Sequence, residues 1–292
     1  MKVLAYGEIL WDIINGEKYL GGAPLNFAAH AVKCGSQAGI ISCLGQDELG
    51  NQALNLVEKL EVDTSFVQRI EGKDTGTVPV TLIDGQPEYD ITPDVAFDYI
   101  DAKAIDFSKI GTCDAFYFGS LIQRNEQSKS TLYHILQGCR FEIIFYDVNL
   151  RKNCFSKEII EKSLEYCTIL KVNDDEVTTL SELLFNVKLT VGDFSVSVSK
   201  EYPQVKLIIT TAGKKGCLLY SDNKLSRIPG VPVKVLDTVG AGDAFSAAFL
   251  CTYLRNRDYE KAAQIANEVG GFVASSVGPL PDYRPEIQAL LN

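Results

Sequence analysis

The chain has 292 residues, long enough for one large α/β domain or two small ones and for an ample core, so its stability needs no special staples. A formal net charge of −10 with two histidines argues against a nucleic-acid-binding surface, so an anionic ligand would have to be held by local donors. The eight cysteines lie singly and without a Cys-x-x-Cys pair, reading as reduced core residues, and no apolar run reaches membrane-span length; the expectation is a cytoplasmic protein with no membrane partner.

Short apolar runs at 2–6, 38–43, 115–118, 143–148, 168–172 and 205–211 read as buried strands. Segments of helical period lie between them, at 49–60, 128–137 (closed by Gly138) and 156–166. This alternation is the order of a mainly parallel sheet flanked by helices. One stretch departs from it: residues 75–91 alternate apolar and polar side chains about Asp84–Gly85, a type I′ hairpin signal. A half-buried hairpin there stands off the main sheet. No repeat, low-complexity segment or linker divides the chain, so the expected architecture is one α/β domain with a small β appendage.

Two glycine pairs open helices. Near the start, residues 20–31 read LGGAPLNFAAHA, with Asn26 in the first turns, where an amide is a poor helix former and a polar task is plausible. Asp12, upstream in GEILWDII, is a carboxylate among apolar neighbours. Together Asp12 and Asn26 offer a polyol an acceptor and a mixed donor–acceptor; singly, Asp12 reads better as an edge or turn residue and Asn26 as a capping amide. Near the end, LDTVGAGDAF at 236–245 leads into an apolar helix. Gly240 and Gly242 let backbone approach a ligand, and the unpaired N–H groups with the positive end of the helix dipole attract an anion. Asp243 beside that anion is either a base for an attacking hydroxyl or an acid that stabilises the helix end, and the segment alone leaves both open. Other phosphate loops are absent: Gly213–Gly216 lacks the spacing of G-x-x-x-x-G-K-[ST], and GAGDAF lacks the third glycine of a dinucleotide fingerprint.

GGAPLN at 21–26 and DTVGAGDAF at 237–245 together resemble the paired signatures of the ribokinase-like (PfkB) carbohydrate kinases. The resemblance spans nearly the whole chain through GEILWD at 7–12, GQDELG at 45–50, FGSLIQR at 118–124, YDVNLR at 146–151, VNDDE at 172–176 and TTAGKKG at 210–216. Within the family, GEILWD, GGAPLN, FGSL and DVNLR are most similar to the fructokinase branch. The resemblance implies a three-layer α/β fold with a small β-sheet lid from about 12–20 and 75–100, its exposed face suited to a homodimer. It implies Asp243 as base and Gly240, Ala241 and Gly242 as anion hole. Asp12, Gly21, Gly22, Asn26 and Arg151 would hold the sugar, Arg151 being also compatible with a surface salt bridge. Asn173, Thr211, Gly213, Gly216 and Asn267 would serve ATP, Glu176 would organise Mg²⁺, although its own position reads as a first-turn acid complementing the helix dipole, and Asp237 with the Val239 carbonyl would hold a monovalent cation such as K⁺. The implied reaction is phosphorylation of a sugar hydroxyl, D-fructose first, with ribose or 2-keto-3-deoxygluconate as other acceptors; a silent sugar or nucleotide sensor is the competing class. His30 and His134 sit at helical positions suited to packing or surface roles.

Overall fold

The computed structural model describes residues 1–83 and 86–291, with side chains for all of these except 80–89. The strands are β1 (Lys2–Tyr6), β2 (Leu10–Ile14), β3 (Glu17–Gly21), β4 (Gln37–Gly45), β5 (Val67–Ile70), β6 (Gly76–Ile83), β7 (Gln86–Tyr89), β8 (Ala115–Gly119), β9 (Ile143–Asp147), β10 (Ile169–Asn173), β11 (Leu207–Thr211), β12 (Cys217–Ser221) and β13 (Lys224–Ile228). The helices are α1 (Ala23–Lys33), α2 (Glu48–Lys59), α3 (Phe107–Ile110), α4 (Glu126–Gly138), α5 (Lys157–Leu164), α6 (Asp174–Phe185), α7 (Val191–Glu201), α8 (Ala241–Asn256), α9 (Tyr259–Ala274) and α10 (Pro285–Leu291).

Nine strands form the main sheet in the order β13-β12-β11-β10-β9-β8-β1-β4-β5. All pairings from β11 to β5 are parallel, and β12 and β13 extend one edge antiparallel. Because successive side chains point to opposite faces, a strand buried on both sides must be apolar throughout. In β1, Val3 and Ala5 enter the core layer shared with α1, α8 and α9, whereas Leu4 and Tyr6 enter the layer shared with α4 to α7. The expected three-layer architecture is therefore present. Strand order reverses about β1, since β4 follows on one side and β8 on the other; such a switch point opens a crevice at the carboxyl ends of the strands.

The six expected strands coincide with β1, β4, β8, β9, β10 and β11 to within two residues at each end. Helix starts follow their caps: Asp47, Asn125 and Ser156 each accept a backbone N–H from the first turn of α2, α4 and α5. Gly138 is the last residue of α4 and not a left-handed stop beyond it; the extended Cys139 ends the helix. A second sheet has the order β3-β2-β6-β7. The expected hairpin is there as antiparallel β6 and β7, with Ile83 opposite Gln86, while its turn, Asp84–Gly85, lies outside the described residues. This sheet takes in 10–21 and 76–89. Beyond it the chain returns to the body: Phe97 is 1% exposed and packs in the layer of Leu4 and Tyr6. The eight cysteines are free thiols. Among the described residues, no helix is long and apolar enough to cross a membrane.

Candidate active site

Helix α8 begins at Gly240, whose φ of 75° lies in the left-handed region and whose Cα faces Pro279 so closely that a Cβ would sit 2.6 Å from the proline ring. Only glycine fits both conditions. No side chain caps this helix start, and among the described residues the amides of Gly242 and Asp243 have no protein acceptor. The positive end of α8 thus opens onto a cleft of about 390 Å³ at the carboxyl ends of the central strands. Asp243 lines it, and Asn26 Nδ2 donates to Asp243 Oδ2 at 2.9 Å. Burial pushes the Asp243 carboxyl up to about 6; the Asn26 bond and the charges of Lys171 and Arg151 pull the other way, and the Asp147 carboxylate adds to the rise.

The glycines before α1 act on their neighbours. A Cβ on Gly21 would lie 2.6 Å from Asp12 Oδ2, and one on Gly22 (φ 115°) would lie 2.3 Å from the Glu8 carbonyl oxygen. They let the strand β3 and the helix start close over Asp12 and Glu8. Asp12 is raised to about 6 by burial, with Arg151 opposing. Glu8 Oε1 accepts the Ala23 N–H at 3.2 Å, and burial raises this carboxyl to about 7. Asn26 Oδ1 is buried without a hydrogen-bond partner, an orphan acceptor two bonds from the amide that holds Asp243. Asn149, with φ 42°, turns the chain after β9 so that Arg151 reaches the cleft and an adjoining depression lined by Arg124 and Cys154.

Asn173, Thr211 and Val239 line the cleft. Gly213, Gly216 and Asn267 do not: Gly216 is required because a Cβ would lie 2.1 Å from the Ile228 carbonyl, and Asn267 Nδ2 donates to the Pro229 carbonyl at 3.0 Å. Glu176 and Asn173 form a reciprocal cap on α6, each side chain accepting the other's N–H at 2.8 Å, and Glu176 Oε1 also accepts the Leu150 N–H at 2.7 Å. The Glu176 carboxylate thereby ties α6 to the loop that carries Arg151. Asp237 is likewise engaged, accepting the N–H of Val239 at 3.0 Å and of Gly278 at 3.2 Å. Among the described residues no group of three His, Cys, Asp or Glu side chains could hold a metal ion.

Residues 3–285 match the profile described as pfkB family carbohydrate kinase. The chain belongs to this family. An uncharacterized sugar kinase of Pyrococcus horikoshii is 28% identical over 94% of this chain and 91% of its own length. Its crystal structure in complex with ATP superposes with a TM-score of 0.84 at 27% identity, covering 95% of this chain and 94% of the other. Fructokinase-1 of Oryza sativa is 26% identical over 99% of this chain and 96% of its own. The fructokinase of Vibrio cholerae, solved with fructose, ADP and calcium, shares the fold with a TM-score of 0.85 at 20% identity, covering 100% of this chain and 99% of the other.

Four polar residues that line the cleft of this pfkB-family kinase are not among the sequence candidates: Glu8, Asn149, Lys171 and Thr238. Lys171 had a signal, since a cation in the apolar run ILKVN is as discordant as Asp12 in its own strand. Glu8 and Asn149 had none, because their placement depends on the backbone turns that bring them inward. Of the two histidines, His30 is buried between Tyr283 and the Pro279 carbonyl, and His134 packs its ring 4.9 Å from Phe107.

Proposed function

We propose that this sugar kinase transfers the γ-phosphate of ATP to a hydroxyl of D-fructose, with Asp243 as base. The observation that carries the reading is one cleft in which a carboxylate steered by Asn26 sits beside the uncapped start of α8, with Asp12 and Arg151 opposite. The acceptor sugar lies against Asp12, Asn26 and Arg151, with Gly21 and Gly22 shaping the floor. Its attacking hydroxyl gives its proton to Asp243, while the anion hole about Gly240, Ala241 and Gly242 meets the charge on the transferring phosphoryl through the free N–H groups of Gly242 and Asp243, the Ala241 N–H being held by the Thr238 carbonyl at 3.3 Å. A carboxylate raised to about 6 is ionised at neutral pH and still basic enough to accept that proton.

Asn173, Thr211, Gly213, Gly216 and Asn267 flank the nucleotide. Bound Mg²⁺ would neutralise phosphate charge; the absence of a three-ligand cluster among the described residues fits an ion held chiefly by phosphate and water, with Glu176 ordering that water. Asp237 and the Val239 carbonyl are the corresponding place for K⁺. The small sheet, which supplies Leu10, Asp12 and Val78 to the cleft, acts as the lid that keeps water from the γ-phosphate. Its Ile14 and Tyr19, 38% and 50% exposed, suit a homodimer face, which light scattering tests. Fructose is favoured by the relatives named fructokinase that match along 96–99% of this chain.

The deciding experiment is a panel of sugars with ATP, with and without K⁺, read as ADP release. The highest kcat/KM is expected for fructose. Faster turnover of ribose or 2-keto-3-deoxygluconate would replace the acceptor and keep the chemistry. Thermal stabilisation by a sugar with no ADP formed would mark a sensor.

A further inference from the structure

Lys171 lies on β10 between the buried apolar side chains of Leu170 and Val172 and is itself 7% exposed. A buried ammonium is costly unless paired, and its Nζ donates to both oxygens of Asp147, at 2.9 and 2.8 Å. Asp147, 1% exposed at the end of β9, also accepts the Tyr117 hydroxyl at 3.1 Å and the Ser246 hydroxyl at 3.0 Å through Oδ2. Three adjacent strands and α8 are thus joined at one carboxylate, which fixes Lys171 relative to the helix that bears Asp243.

An ammonium has three donors, and Asp147 accounts for two of them. Lys171 also lines the cleft beside Asp243, with Nζ 3.6 Å from where a Cβ on Gly242 would stand. Burial opposes its charge, but the Asp147 carboxylate, with the charges of Glu176 and Asp243 adding to it, holds the amine above its usual range. A buried pair gains little stability over apolar packing, and one kept for stability alone has no reason to open onto the anion-binding end of a helix.

We propose that Lys171 is a further catalytic residue, its third N–H donating to a non-bridging oxygen of the γ-phosphate during transfer, and that Asp147 is the residue that positions it. The inference rests on the kinase reading above. In the transfer the sugar oxygen bonds to the γ-phosphorus, the bond to the β–γ bridging oxygen breaks with its electron pair leaving on ADP, and the hydroxyl proton passes to Asp243. Lys171 keeps its proton and offsets charge on the phosphoryl oxygens.

The test replaces the pair as a neutral unit, Lys171→Met with Asp147→Asn, so that neither charge is buried alone. Loss of about 100- to 1000-fold in kcat is expected, with sugar KM and ADP affinity within about threefold of the parent and ATP affinity weakened at least about tenfold. A folded double variant with kcat and ATP affinity both within about threefold of the parent would overturn the proposal. A second arm needs no folded variant: the ¹⁵Nζ resonance of Lys171 in the unaltered protein, assigned through its through-bond correlations along the Lys171 side chain, should move when a non-hydrolysable ATP analogue binds and stay in place with ADP. Equal positions in the two complexes would also overturn it. Parent enzyme that forms no ADP with any sugar would sink the kinase reading separately, while the resonance still judges Lys171.

Discussion

The starts of α1 and α8 look alike in sequence, each opening with glycines in unusual backbone conformations and neither capped by its own N-cap side chain. Their electrostatic fates are opposite. At α1 the first amide, of Ala23, already donates to the Glu8 carboxylate, so the positive end is met from within. At α8 the amides of Gly242 and Asp243 face the cleft without a protein acceptor, and the carboxylate nearby is turned aside by Asn26. A glycine-rich helix start is therefore only half of an anion site; the other half is that no internal acid has taken the place of the ligand.

That contrast can be broken most forcefully at Asp243. Asp243→Ala is expected to lower kcat by about 100- to 10,000-fold with sugar and ATP affinities close to those of the parent. Near-native turnover with unchanged binding would remove the base from α8 and leave only its dipole. The pH profile sharpens the same point: a base that must be ionised, with a carboxyl raised to about 6, makes kcat/KM fall about tenfold per unit as pH drops below that value. A profile flat down to pH 5 would contradict it.

At α1 the expected effect is on stability. The folded Glu8 carboxyl, raised to about 7 from an ordinary 4.5, binds its proton more tightly than the unfolded chain does. Its contribution is therefore favourable below the unfolded value and is lost as pH rises through about 7. Glu8→Gln, which keeps an acceptor for Ala23, should stabilise the ligand-free protein at pH 8 relative to pH 5 by roughly 1–3 kcal/mol, read from denaturant melts of both proteins at both pH values. His30, lowered to about 4 by burial, acts in the opposite sense between about pH 4 and 6.5, so only the difference between variant and parent isolates Glu8. The smallest effect is in hydrogen exchange, where an ATP analogue should slow the amides of Gly242 and Asp243 and leave that of Ala23 unchanged. Equal protection at both helix starts would erase the distinction drawn between them.

The main sheet was legible because parallel strands buried on both faces leave continuous apolar runs, and β1, β4 and β8 to β11 carry such runs. The edge strands β5 and β13 were not: Val67–Ile70 is half-buried throughout, and β13 opens with the exposed Lys224 and Leu225, so neither shows a core pattern. In the site, Asp12 and Asp243 stood out as acids among apolar or glycine neighbours. What Asn26 holds could not be read, since its partner lies on another helix; nor could the bonds from the Leu150 and Gly278 amides to Glu176 and Asp237, which form only when the loops fold, whereas the Asn173–Glu176 cap follows from their spacing.

The Asn26–Asp243 hydrogen bond joins positions 217 residues apart. Contacts of such span close a very long loop and form after local structure is in place, so the Asn26–Asp243 pair exists only once the two ends of the polypeptide have met. Turnover in this protein is consequently a late reporter of maturation: during refolding, far-ultraviolet ellipticity should recover before ADP formation does.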